Sequence, residues 1–193
     1  MTGQPAIHTE ARGSRMLRLL ATALPHVLPR LREPAAWAGW WLFERDGGSR
    51  YLRVVCRDEL RIGATTLVVA IHLFEQAGHR GRMHNHRWPL AVLPFASEND
   101  DVQQLYAMPW ERRDGGRTIQ AGEFVVVAGG RWAIEDCSGV FHAVHSRIPH
   151  GSLNVTDISN SPGREDRLAN EPAAEVDIVR AVGIAAVRVP ALS

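Results

Sequence analysis

The sequence predicts an all-β fold, a small barrel of short strands preceded by one helical segment. Three observations predict it. From Tyr51 onward, apolar and polar residues alternate with period two. Turn-forming clusters punctuate that region at Glu98-Asn99-Asp100, Asp114-Gly115-Gly116, Gly129-Gly130 and Ser138-Gly139. Ahead of it, a segment near the N-terminus repeats its apolar residues at helical spacing instead.

Taken in order, residues 1–12 are polar and expected to be loose. From about Ser14 to Leu31, Met16, Leu20, Leu24, Val27, Leu28 and Leu31 form an apolar stripe, and Arg12, Arg15, Arg18, Arg30 and Arg32 form a basic outer face. Pro25 and Pro29 are expected to break or kink this helix. Pro34 to Phe43 is expected as a second short helix, with Trp37, Trp40 and Trp41 packing onto a sheet. Asp46-Gly47-Gly48-Ser49 is a turn, after which strands are expected at Tyr51–Arg57, Thr65–Phe74, Met83–His86, Ala91–Phe95, Asp101–Met108, Gly122–Val127, Trp132–Glu135, Val140–Ser146 and Ser152–Thr156. Asn160–Asn170 reads as a surface loop around Pro162-Gly163, and Val176–Val189 fits either a strand pair or a closing helix. The organisation expected is one domain over residues 1–193: a helical cap over 1–45, a barrel over 50–160 and a closing segment over 161–193.

Composition narrows the function classes. The chain has 193 residues, 45% hydrophobic and 22% charged, with a formal net charge of +1. That balance fits a globular protein and gives no argument for nucleic acid or an acidic membrane surface as partner. Every one of the 22 basic residues is Arg, which fits a GC-rich coding sequence. The two cysteines, Cys56 and Cys137, suggest free thiols in a reducing compartment and no disulfide framework. No apolar run approaches the ~20 residues of a spanning helix. Arg18 interrupts the apolar run at Met16–Leu24, so it reads as part of the fold, and the expected location is cytoplasmic.

The chemistry-bearing stretch is Gly78-His79-Arg80-Gly81-Arg82-Met83-His84-Asn85-His86. On a strand, His84 and His86 point the same way and can share a metal ion. Two histidines hold a metal weakly, so a third ligand is required; His72, His79, His142, His145 and His150 are the candidates. His142 and His145 are three apart on one expected strand, so only one of them can join the His84/His86 face. Trp88 shares that face and is expected to line the pocket.

The spacing of these residues resembles the cupin superfamily. Gly78, five residues, then His84-x-His86 is similar to the first cupin motif, without its Glu: Leu90 and Ala91 stand four and five residues past His86. Cys137-Ser138-Gly139-Val140-Phe141-His142 is similar to the second, Pro-x-Gly-x-x-His, with Cys for Pro. The resemblance implies a cupin-type β-barrel, a double-stranded β-helix or jelly roll, and selects His142 as the third ligand. Lacking the Glu, the site would be three neutral imidazoles, which resembles the thiol dioxygenase branch. Tyr51-Leu52-Arg53 and His142-Ala143-Val144 are also similar to runs of that branch. Its Cys–Tyr pair is missing: Ala91 stands at the Cys position and no Tyr follows His142.

What the resemblance implies is a mononuclear Fe(II) oxygenase acting on O2 and a small polar substrate. Zn, Mn or Ni would suit a non-redox isomerase or lyase built on the same ligands, and a ligand-binding barrel with no chemistry is the third reading. Arg53 is expected to grip a substrate carboxylate, a tyrosine near the metal would be Tyr51 or Tyr106, with Tyr51 taken as the site residue, and His145 is expected to orient a neighbouring group. Leu52, Val54 and Cys56 alternate against Tyr51, Arg53 and Val55. If the apolar set packs under the helical cap, Arg53 faces the barrel interior.

Overall fold

The computed structural model describes residues 7–9, 15–43, 50–75, 84–85, 88–96, 102–107, 111–113, 116–118, 125–128, 132–135, 141–146, 150–159 and 170–189. The first elements are β1 (Ile7–Thr9) and α1 (Arg15–Arg30), then, after a 3-10 turn at Pro34–Ala36, β2 (Trp37–Phe43) and β3 (Arg50–Cys56). Next come β4 (Leu60–Ile62), β5 (Thr65–Phe74), β6 (His84–Asn85), β7 (Leu90–Ala96) and β8 (Val102–Ala107). A short hairpin, β9 (Glu111–Arg113) and β10 (Gly116–Thr118), precedes β11 (Val125–Ala128), β12 (Ala133–Glu135), β13 (Phe141–Ser146) and β14 (His150–Asp157). The described chain closes with β15 (Asn170–Pro172) and α2 (Glu175–Arg188).

The strands form an antiparallel nine-stranded sheet, ordered β1-β12-β7-β14-β5-β3-β2-β15 with β4 beside β5, and a four-stranded sheet ordered β11-β8-β13-β6. Between β5 and β14, strands β5, β7, β12 and β14 belong to the larger sheet and β6, β8, β11 and β13 to the smaller. The central strands β12-β7-β14-β5 of one and β11-β8-β13-β6 of the other make the strand orders of a jelly roll.

The apolar core lies between the larger sheet and the two helices. Met16, Leu20, Ala23, Leu24 and Val27 of α1 and Ala181, Val182 and Ala185 of α2 are buried with Leu52, Val54, Leu67, Ile71, Leu93 and Leu153 of the sheet. Each helix thus gives one stripe to the sheet face that the odd or even positions of every strand supply. Arg180 forms an ion pair with Glu75, and Trp41 Nε1 donates to Asp177 Oδ2 at 3.3 Å, which ties α2 to the sheet. Asp177 and Glu175 in its first turn and Arg188 in its last oppose the helix dipole favourably.

Four expectations are corrected. Helix α1 continues through Pro25 and Pro29. Ala21, Pro25 and Pro29 are all exposed, so the carbonyls that lose a backbone donor face water, while the opposite stripe keeps its burial. The second helix expected at Pro34–Phe43 is a 3-10 turn followed by strand β2. Its aromatic, β-prone residues alternate: Trp37, Gly39 and Trp41 face the helices, and Trp40 faces away. Ile7–Thr9, expected to be loose, adds a strand beside β12, and Asn170, placed in a loop, begins β15 beside β2. Val176–Val189, open between strand and helix, is helical. Among the described residues, no helix is long and apolar enough to cross a membrane.

Candidate functional site

The four-stranded sheet carries His84, His142 and His145. β13 runs antiparallel between β6 and β8, and its His142 stands directly across from His84 on one side and from Tyr106 on the other. Val125 of β11 completes the row. Directly opposed residues share a sheet face, with Cβ atoms about 4.5–5.5 Å apart. His145 stands across from Gln103, an odd number of residues further on, and belongs to the other alternation. His86, His79 and Cys137 lie outside the described residues.

Arg53 and Tyr51 sit on the larger sheet, on the face opposite the core. Leu52 and Val54 pack against the helices, so the alternation sends Arg53 to the other side, where it is 7% exposed. The register sets Arg53 between Trp40 of β2 and His72 of β5, and His72 across from Ser152 of β14. One row therefore runs Trp40, Arg53, His72, Ser152.

Beside that row is an aromatic stack. Phe74 lies parallel to the His150 ring at 4.5 Å between centroids and 5° between planes. Tyr51 stacks on the other partner, Phe74, at 4.9 Å, and meets His72 edge-on at 5.4 Å. His150, Ser152 and Asn154, alternate residues of β14, are all buried. Asn154 Nδ2 donates to Ser152 Oγ at 3.0 Å. Tyr51, His72 and Trp40 are half-buried, so the face is open toward the β2–β3 side and closed toward β14. Trp88, expected to line the pocket, is half-buried at a bend just before β7.

Sequence reasoning singled out Arg53 and Tyr51 on this face, weighed His72 and His150 only as third-ligand candidates, and passed over Ser152 and Asn154. The signal was the alternation of His150-Gly151-Ser152-Leu153-Asn154-Val155. Polar residues in such a pattern ordinarily mean a solvated face, whereas here they are interior. Among the described residues of β2, β3, β5, β7 and β14, none on this face is acidic.

On the other side of the sheet, a small cleft between α1 and β3 is lined by Val27, Arg30, Trp37, Cys56, Leu60 and Val69. Arg30 donates to Asp58 Oδ2 at 2.8 Å and approaches the Cys56 sulfur at 3.9 Å. The hydrogen bond to Asp58, then the nearby thiol, hold the Arg30 guanidinium above its ordinary pKa. Among the described residues, no three His, Cys, Asp or Glu side chains cluster to hold a metal.

No protein-family model matches this sequence. No curated protein matches it either. Solved structures do. An RmlC-like cupin from Shewanella frigidimarina is 17% identical over 65% of this chain and 86% of its own, with a TM-score of 0.37. Streptomyces albus HEPD, with 2-hydroxyethylphosphonate and Fe(II) bound, is 12% identical over 62% of this chain but 24% of its own, at 0.38. YcfD, a ribosomal oxygenase from Escherichia coli, is 10% identical over 86% of this chain and 59% of its own, at 0.39.

Proposed function

We propose that this chain is a cupin-type metalloenzyme, a mononuclear non-haem iron oxygenase acting on a small polar substrate. The observation that carries the reading is the register of β6 and β13, in which His84 and His142 are directly opposed. Opposed positions on neighbouring antiparallel strands are where two side chains can reach one ion. His86, two residues after His84, supplies the third imidazole of the proposed set. Imidazole suits Fe, Zn and Ni, so the donor chemistry fits a divalent first-row metal.

Bound Fe(II) would supply O2 chemistry, and Zn, Mn or Ni would supply Lewis-acid polarisation instead. The remaining work falls to the chain's own residues. Three neutral ligands leave the ion its full charge, which favours an anionic substrate, such as a small thiol bearing a carboxylate. Arg53 binds the substrate's anionic end, through a fork of parallel N–H donors. Tyr51, held between Phe74 and His72, fixes the wall beside it. His145, on the other alternation of β13, acts on the orientation of that strand's neighbours and not as a ligand.

The test is metal analysis of anaerobically purified protein, followed by O2 uptake with small thiols and other bidentate acids after iron loading. Stoichiometric iron and uptake with one of them support the oxygenase. Bound metal with no uptake moves the assignment to the isomerase or lyase. A barrel that binds no metal, and tolerates His84→Ala, is a ligand-binding cupin.

A further inference from the structure

Asn154 and Ser152 are interior polar groups that the proposed metal ligands and Arg53 leave unused. We infer that this pair is a recognition subsite for an uncharged group of the substrate that both donates and accepts hydrogen bonds, such as a carboxamide or an alcohol. The inference rests on the reading that this interior face receives the substrate. It deepens that reading by naming a group the face selects.

A hydrogen bond holds the two side chains together: Asn154 Nδ2 donates to Ser152 Oγ at 3.0 Å. The same nitrogen reaches the Ser152 carbonyl at 3.4 Å and the Ala70 carbonyl at 3.5 Å. A carboxamide nitrogen has two N–H donors, and these acceptors use both. Turning the amide over would set its oxygen against two carbonyl oxygens, so the contacts decide which end is nitrogen. Oδ1 is thereby turned away from them. Among the described residues, Oδ1 accepts from no donor, and the Ser152 O–H donates to no acceptor. The pair thus presents one open acceptor beside one open donor.

Burial is what makes an open acceptor informative. Asn154 is 7% exposed and Ser152 4%. Polar groups so deeply buried are nearly always paired, because an unpaired one costs about as much as a lost hydrogen bond. Oδ1 is not among the unpaired atoms sealed from solvent, so the exposure left to Asn154 reaches its acceptor. Leu153 and Val155 pack into the core under the helices, which sends Ser152 and Asn154 to the interior face. In the register Asn154 stands between Ala70 of β5 and Val92 of β7, both apolar. A few placed polar groups on an apolar floor are how pockets orient a small ligand. An ammonium carries donors only, and a carboxylate acceptors only, so neither matches the pair. No acidic residue lies on this face among the described residues of the five strands to offset a cation.

The experiment is an NMR titration of the full isotope-labelled chain with butyramide, 2-pentanone and butylammonium at neutral pH. Pentanone has the shape of butyramide but only accepts, and butylammonium only donates. The titration is run on the zinc-loaded chain and after chelation, and metal content is measured in parallel. The reporters are the Asn154 side-chain amide and the backbone amides of β14. Butyramide should shift them and bind about 5-fold or more tighter than either of the other probes, in both metal states. Ser152→Ala and Asn154→Leu should each weaken butyramide about 5-fold and leave pentanone near its parent affinity, so that the preference is lost. Circular dichroism of each variant checks that it folds. Butyramide no tighter than pentanone overturns the inference, as does an unchanged preference in folded Ser152→Ala and Asn154→Leu. A preference shown by a chain with no metal affinity would sink the metalloenzyme and leave the subsite standing. Metal binding without the preference would do the reverse.

Discussion

His142 stands directly across from His84 in the antiparallel pairing of β13 with β6. His145 is opposed to Gln103 instead, on the opposite parity. Under the proposed assignment, His84→Ala and His142→Ala each reduce metal to a small fraction of one ion per chain, while His145→Ala retains most of it. Because imidazole must be neutral to bind a metal, occupancy should also fall as pH drops below ~6.5. Elemental analysis after dialysis reads both effects. Near-full occupancy in the His142→Ala variant ends the assignment.

Arg53 lies across the sheet from the buried Leu52 and Val54, on the interior face. Truncating one side of a buried charged pair costs ~2–5 kcal/mol, so Arg53→Ala should weaken substrate binding roughly 30-fold or more. Metal content should stay at the parent level, since Arg53 is not one of the proposed ligands. A variant that binds and turns over like the parent makes Arg53 a structural residue only.

The strands were legible because a half-buried strand alternates, and Thr65–Phe74 is seen with the bounds its pattern implies. The same alternation put Leu52, Val54 and Cys56 on one face and Arg53 on the other. It could not tell a solvated polar face from an interior one. That is why Ser152 and Asn154 went unassigned and His150 was weighed only as a metal ligand, although all three are buried. Trp37–Phe43 misled for a different reason. Trp37, Trp40 and Trp41 fit helical spacing as well as a strand, and pairing with β3 and β15 decides between them. Val176–Val189 is rich in β-branched residues, and what makes it a helix is tertiary: Ala181, Val182 and Ala185 lie on one helical face against the sheet. Strands of three residues, such as β1 and β15, are too short to show a period at all.

Gly151 lies between Leu73 and Phe95 in the register of β5, β14 and β7. A Cβ built there would come within 2.4 Å of Phe95 Cε2 and 2.7 Å of Leu73 Cδ2. Both neighbours are buried and have little room to retreat. Overpacking a tight interior costs ~1–3 kcal/mol, so Gly151→Ala should lower the denaturant midpoint by that equivalent. Phe95→Leu in the same background should recover part of the loss, because it removes the ring edge that the new methyl meets. No loss in Gly151→Ala would mean that the β14–β7 packing is looser than these distances.

Asp157, at the end of β14, is 3% exposed. Its Oδ1 accepts from the Ser159 amide at 3.0 Å and the Ser159 hydroxyl at 2.6 Å, and its Oδ2 meets Arg15 at 2.8 Å. These contacts join the start of α1 to the turn after β14. Arg15 is 53% exposed, so solvent screens the ion pair and it contributes ~0–1 kcal/mol. The larger share is the Ser159 pair: deleting the acceptor leaves a backbone N–H without its partner, at ~1–3 kcal/mol. Asp157→Ala should therefore destabilise the fold more than Arg15→Ala. Asp157→Asn, which keeps an acceptor oxygen for Ser159, should fall between them. Chemical denaturation of the three variants orders them, and an Arg15→Ala loss equal to that of Asp157→Ala would show that the ion pair, not the turn, holds this corner.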